Sequence, residues 1–585
     1  MNDSMAFWFL AIPELVLPGY AWILVSGLST RFDSLEKLSL SFILSVSFSA
    51  LLTAALSFLT PNYLLYSSTI ALAVPAFVLL IFLLRGGFRR PSLRLQMDWG
   101  SIALLVAICA YVIVLGSLFW SAPYYPSADT SDPVTHARVV NTILNGGGRD
   151  EILHGEIGRA GIHFVAATLA GLLPIDALQS LRILLSLMVL NSLVLAYSSA
   201  QVFFNDKRIA GVTVLVAAFV FPVDAVHFIR VGTFANVAGD AIILTMFLLF
   251  FSYVKRPILP LGITLAFLGV AGTFMHSGFL LFLAALWTST PLVYFRFRRT
   301  FRNYIQGVAY STAGLLFVGG ILGSVFASNL QGIYSSYVVI AHPSLLTTDF
   351  FFITLFGFTY NFSILFGPIG MASIFLAIVL VVKRRRHSAR PIFAAFWFLF
   401  LVVVSFFTFQ DWRFILFSFL PATFLVGAMI GWTPSLIEQS RDFSDRLKRN
   451  IAPIIVPLAL CVLVMSGGFV SSGFFGVVSR AYDPSERVRQ QAVFESMVWL
   501  KQNGCPSGVA SVGLAIDYRY LPVLTGIQYV GDFDKPADEL QQRSQILGFH
   551  CLAVAIGNRN YRSFLLANEF HEEYRNDIVA LFTMA

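Results

Sequence analysis

Stretches of about twenty apolar residues recur along most of the chain, and they constrain its fold more than any other feature. A helix rises about 1.5 Å per residue, so such a stretch matches the ~30 Å hydrocarbon core of a bilayer. We place these runs near residues 6–28, 37–60, 64–85, 99–120, 177–203, 209–226, 236–254, 258–275, 278–295, 304–326, 362–382, 391–409, 415–432 and 451–470. With 57% hydrophobic and 12% charged residues, the chain carries more apolar surface than one water-soluble globule can bury. The expectation is an α-helical polytopic membrane protein of about 14 spans, followed by a C-terminal soluble α/β domain.

The net charge of +8 does not point to nucleic acid, because the Lys and Arg residues sit in short clusters between apolar runs. Arg85–Arg94, Lys207–Arg208, Lys255–Arg256, Arg296–Arg302, Lys383–Arg390 and Arg446–Arg449 are expected to face the cytoplasm. The first apolar run starts near Met5 with no basic region before it, so we read it as a retained span. For the clusters to alternate, only one crossing fits between residues 121–158 and Lys207. Ile162–Leu173, about a dozen residues, is therefore read as a juxtamembrane or half-inserted helix. The tail then lies outside the cell.

This gives N-terminal helices over 1–98, a membrane core over 99–480 with an extracytoplasmic loop at 121–161, and an extracytoplasmic domain over 481–585. In the tail, an amphipathic stretch Glu486–Gln502 precedes alternating strand-like and helical segments up to residue 568. Cys109 and Cys461 fall inside apolar runs and read as packing residues. Cys505 and Cys551 share the tail and could pair in an oxidising compartment. Cys551 opens a buried-looking strand, however, which favours an unpaired packing role, and no zinc-type spacing is present.

Four polar clusters interrupt the apolar pattern. The loop from Ser127 to Arg138 holds Asp129, Asp132, His136 and Arg138 within a dozen residues. Pro133 can open a helix with Asp132 as its cap, which puts His136 on the same face as Asp132. A carboxylate there can act as a base or bind a divalent cation, and Arg suits a phosphate; the plainer reading is a capped surface helix. The second cluster, Asp224 to Arg230, leads into Asn236 and Asp240, one helical turn apart; a structural Arg230–Asp240 ion pair is the plainer reading. His276 ends a span, where a hydrogen-bonded helix-end histidine is the plainer reading. In Phe409-Gln-Asp-Trp-Arg-Phe414, Asp411 and Arg413 lie between two apolar runs, where Arg413 can grip an anionic headgroup or simply snorkel. All four clusters emerge on the outer side under a topology assigned from the basic loops alone.

In these residues the chain resembles the GT-C superfamily of membrane glycosyltransferases. Asp132-Pro133 with Arg138 reproduces the D-P-x-x-x-x-R spacing of oligosaccharyltransferase catalytic subunits. The stretch from Pro222 to Asp240 is similar to their second outer loop. Gln410-Asp-Trp-Arg-Phe414 is similar to the H-K-E-x-R-F signature of dolichyl-phosphate-mannose-dependent mannosyltransferases. The likeness covers roughly residues 99–480. The tail has no W-W-D-Y-G motif, and the second outer loop lacks a clear acidic pair.

The resemblance implies a GT-C-like core and an inverting transferase that takes a sugar from a polyprenyl-phosphate-linked donor at the extracytoplasmic face. Asp132 would be the base or a metal ligand, with Asp129 as its rival, and His136 would line the acceptor site. Arg138, Arg230, His276, Asp411 and Arg413 would hold substrate and lipid phosphate. Asp240 would line the site or help Asp132 bind Mg²⁺ or Mn²⁺. The expected partners are the lipid-linked donor, the bilayer of a prokaryotic-type plasma membrane, and a glycan, lipid or protein acceptor. Two other classes stay open: a lipid-linked oligosaccharide flippase, which needs charged residues along a path to the cytoplasm, and a non-catalytic assembly protein working through its tail.

Overall fold

The computed structural model describes residues 2–85, 98–121, 132–154, 157–173, 175–231, 233–276, 278–296, 298–321, 348–383, 390–406, 415–439, 445–467, 474–482, 484–505, 508–514, 518, 521–532, 550–557, 563–566 and 570–584. The expected class holds: this is an α-helical membrane protein with a small α/β domain at its C-terminal end. Among the described residues, seven helical stretches are long and apolar enough to cross a bilayer, and shorter apolar helices lie between them. Helices Asn2–Val25, Ser34–Ser57 and Tyr63–Leu84 pack on one another. Trp22 ties them to the core: its ring stacks on Phe267 at 5.0 Å, and its N–H donates to Thr264 Oγ1 at 3.0 Å.

Aromatic side chains fill the centre. Phe203, Phe247, Phe251, Phe393, Trp397 and Phe424 interlock, with Phe247 at 4.8 Å from both Phe203 and Phe424 and 5.7 Å from Trp397. The basic segments gather at one end. Lys207 Nζ pairs with Asp98 at 2.7 Å, Lys255 Nζ donates to Asn205 Oδ1 at 3.0 Å, and Asn303 donates to the Val254 carbonyl at 3.1 Å. Ile157–Leu172 is a 16-residue helix whose residues 160–170 are all buried, packed on Ser34–Ser57 and Leu259–Met275. Cys109 and Cys461 are exposed on their helices, which corrects their reading as packing residues.

The stretch Lys207–Ile229 is broken in the middle. Pro222 has no N–H to give the carbonyl of Ala218, one turn back, and its ring crowds that position. The chain answers with a wide turn over Val216–Val220, closed by Phe221 N–H to Val216 O at 2.9 Å. The Tyr111 hydroxyl, fully buried, donates to the freed Ala218 carbonyl at 2.8 Å. A second wide turn spans Val226–Val231 before helix Phe234–Lys255 begins.

The tail folds as helix Pro484–Asn503 and strands β1 (Val509–Val512), β2 (Tyr529–Asp532), β3 (Cys551–Ala555), β4 (Phe570–Arg575) and β5 (Val579–Met584), in sheet order β2-β1-β3-β5-β4. β1 runs parallel to β2 and β3, while β5 and β4 close the edge as an antiparallel hairpin that sequence reading missed. Cys505 and Cys551 form a disulfide, against the unpaired reading. The tail meets the membrane core: helix Phe474–Tyr482 packs on Trp99–Ser121 and on the Val226–Val231 turn, and the short helix Leu521–Thr525 packs on helix Asp132–Thr142.

Replacing Tyr111 by Phe strands the Ala218 carbonyl in a water-poor interior, which costs about 1–3 kcal/mol. Thermal unfolding of the solubilised protein should show a lower midpoint, and an unchanged midpoint would mean that the carbonyl has another partner.

Candidate functional site

At the end of the bundle opposite the basic segments, histidines and carboxylates from separate elements come together. Helix Asp132–Thr142 begins at Asp132, as the Asp-Pro pair predicts; Asp132 is half-buried, His136 buried and Arg138 exposed. One turn along from Asp132, His136 meets His163 of helix Ile157–Leu172, with Nδ1 to Nε2 at 2.7 Å. Their rings stack at 4.9 Å, and His136 also stacks on Phe234 at 5.3 Å. One ring must donate and the other accept, so the pair takes up at most one extra proton without breaking its bond. Tyr63 anchors the chain just past this helix, donating to the Ile143 carbonyl and accepting from Gly148 N–H at 3.2 Å.

The broken stretch supplies the second group. Its irregular backbone turns Asp224 and His227 inward, where both are buried. Thr233 bonds His227 Nδ1 at 2.7 Å, and His227 Nε2 lies 3.7 Å from Asp240 Oδ2 on the next helix. Asp224 lines a cavity of about 30 Å³ shared with Tyr111, Ser192 and Thr423. That is room for a water or two and far too little for a sugar. Asn236 is buried on the same helix, one turn before Asp240.

His276 ends helix Leu259–Met275, and its Nδ1 accepts Gly278 N–H at 2.9 Å, so it is the hydrogen-bonded helix-end histidine. It packs so closely on Gly239 that a Cβ there would lie 2.8 Å from the His276 Cβ. Phe417 faces both His276, at 5.5 Å, and His227, at 6.0 Å. The chain therefore re-enters this neighbourhood soon after the fourth cluster.

Sequence reading is matched unevenly here. Asp132, His136, Asp240 and His276 all lie at this end. Asp129, Asp411 and Arg413 lie outside the described residues, as does the side chain of Arg230, whose backbone forms part of the second wide turn. His163 was missed, although a histidine inside an apolar run is itself a signal. Arg182, buried five residues into helix Ala177–Phe204, was missed in the same way. Among the described residues, no three His, Cys, Asp or Glu side chains are arranged to hold a metal ion.

No protein-family model matches the sequence, and no curated protein matches it. Several solved structures resemble it in fold, three of them as follows. The archaeal oligosaccharyltransferase AglB from Archaeoglobus fulgidus, solved with an inhibitory peptide and a dolichol-phosphate, is 12% identical with a TM-score of 0.42, over 81% of this chain and 71% of that one. ArnT from Cupriavidus metallidurans is 15% identical with a TM-score of 0.46, over 82% and 98%. The mycobacterial arabinofuranosyltransferase AftD is 12% identical with a TM-score of 0.43, over 82% of this chain and 41% of its own length.

The contact between Gly239 and His276 gives a direct check. Gly239→Ala should push His276 and the Asp240 helix apart, lower the thermal midpoint and reduce function. A variant as stable and active as the parent would contradict this packing.

Proposed function

We propose that this protein transfers a sugar from a polyprenyl-phosphate-linked donor to an acceptor at the extracytoplasmic face. The observation that carries this reading is the placement of helix Asp132–Thr142. That helix seats His136 against His163, carries Asp132 one turn earlier, and packs against the tail helix Leu521–Thr525. The D-P-x-x-x-x-R spacing of Asp132, Pro133 and Arg138 on that helix supports it. The disulfide supports an outer location for the tail, since such bonds persist in oxidising compartments.

In this reading Asp132, with Asp129 as its rival, takes the proton of an acceptor hydroxyl as that oxygen attacks the anomeric carbon. The bond from the anomeric carbon to the phosphate oxygen breaks, and the electron pair leaves with the lipid phosphate. One displacement from the opposite face inverts the anomeric centre. Arg138, Arg230 and Arg413 offset the charge on the departing phosphate. His136, braced by His163, and Asp240, braced by His227, line the cluster. A Mg²⁺ or Mn²⁺ ion would need ligands beyond the described set, and no step here passes through one.

A flippase would need polar groups continuing toward the basic end. The aromatic packing of Phe203, Phe247, Trp397 and Phe424 fills that region instead, which favours transfer over transport.

Asp132→Asn should lower transfer from a polyprenyl-phosphate sugar by about 10²–10⁴-fold, with yield and thermal midpoint unchanged. Release of polyprenyl phosphate is the readout. Full activity in both Asp132→Asn and Asp129→Asn would overturn the assignment.

A further inference from the structure

The tail carries a groove that the transfer chemistry does not use. Helix Pro484–Asn503 buries Val493, Met497 and Leu500 against the sheet, and this accounts for its apolar face. Its neighbouring face carries Gln491 and, three, four, seven, eight and eleven residues on, Phe494, Glu495, Val498, Trp499 and Gln502, so these residues line up. Tyr574 of β4 closes the other side, and the groove encloses about 330 Å³, open to solvent. Trp499 is half-buried at the edge of the core, and its remaining surface faces the groove. The Trp499 and Tyr574 rings sit 5.8 Å apart at 35°.

The groove is held in shape. Asn576 Nδ2 donates both to the Ala492 carbonyl of the helix, at 2.6 Å, and to the Tyr574 hydroxyl, at 3.2 Å. Asn576 Oδ1 accepts the N–H groups of Ile578 and Val579 at 3.0 and 2.8 Å, which fixes the β4–β5 turn. Gln491 Nε2 donates to Glu495 Oε1 at 2.8 Å, presenting an amide and a carboxylate side by side.

We propose that this groove binds a saccharide, as one or two rings of a neutral glycan. Aromatic faces suit the C–H faces of a pyranose or furanose ring, while amide and carboxylate groups give and take the hydrogen bonds of its hydroxyls. No Lys or Arg lines the groove, so an anionic lipid headgroup or phosphate is not what it fits. Its volume falls at the lower end of the usual range for small-ligand sites. This inference stands on the groove's own chemistry and survives even if the transfer reading fails.

The test is calorimetric titration of the full-length protein in nanodiscs with neutral glucan, mannan, galactan and arabinan fragments of four to six rings, with a neutral peptide pool as the contrasting probe. At least one glycan should bind saturably. Trp499→Ala, and separately the milder Gln502→Ala/Glu495→Gln, should weaken it at least about tenfold, or 1.4 kcal/mol. Asp132→Asn should bind as the parent does, which separates this groove from the transfer site. Absence of saturable binding by all four glycans, binding unaffected in the milder variant, or binding of peptide instead would each overturn the proposal.

Discussion

In hydrocarbon every backbone N–H and C=O must find its partner within the chain, and the rest of this structure depends on that constraint. Unbroken helices satisfy it automatically. The stretch Lys207–Ile229 does not, because Pro222 withholds a donor where the helix needs one. Two wide turns and the Tyr111 hydroxyl restore the lost pairing, and they do so only because the break is buried in protein. The break in turn points Asp224 and His227 inward, toward Asp240. A backbone defect has become the place where ionisable groups can be held at membrane depth.

The molecule is correspondingly two-ended. At one end, the exposed cations Lys207 and Lys255 meet Asp98 and Asn205, as loops in water do. At the other, histidines and carboxylates are buried, braced by Thr233, Phe234 and Phe417, and covered by the tail. Interlocked phenylalanines separate the two ends. This arrangement suits chemistry on a lipid-borne substrate that arrives along the bilayer, with the tail standing over the same end.

Much of this was legible in the sequence because apolar length and basic loops are strong, local signals. The Asp-Pro helix start at 132–133, the helix-end position of His276 and the strands near 509–512, 529–532 and 551–555 follow from rules of that kind, while the expected helix at 536–547 lies outside the described residues. The interior position of Ile157–Leu172 was not legible. A short apolar run reads alike whether it faces headgroups or other helices, and His163 was not singled out within it. The Cys505–Cys551 bridge and the β4–β5 hairpin depend on which strands become neighbours, and spacing alone does not say. Cys109 and Cys461 face outward because a membrane helix puts apolar residues on all its sides, so hydropathy does not tell interior from lipid.

The central claim is that the histidine–carboxylate end and the tail face the same outer compartment. Single cysteines at the exposed positions Arg138 and Lys501, in a background with Cys109 and Cys461 changed to Ser, can be labelled with a membrane-impermeant maleimide in intact cells. The account predicts that both sites label fully without permeabilisation. Labelling of either one only after the membrane is opened would contradict it.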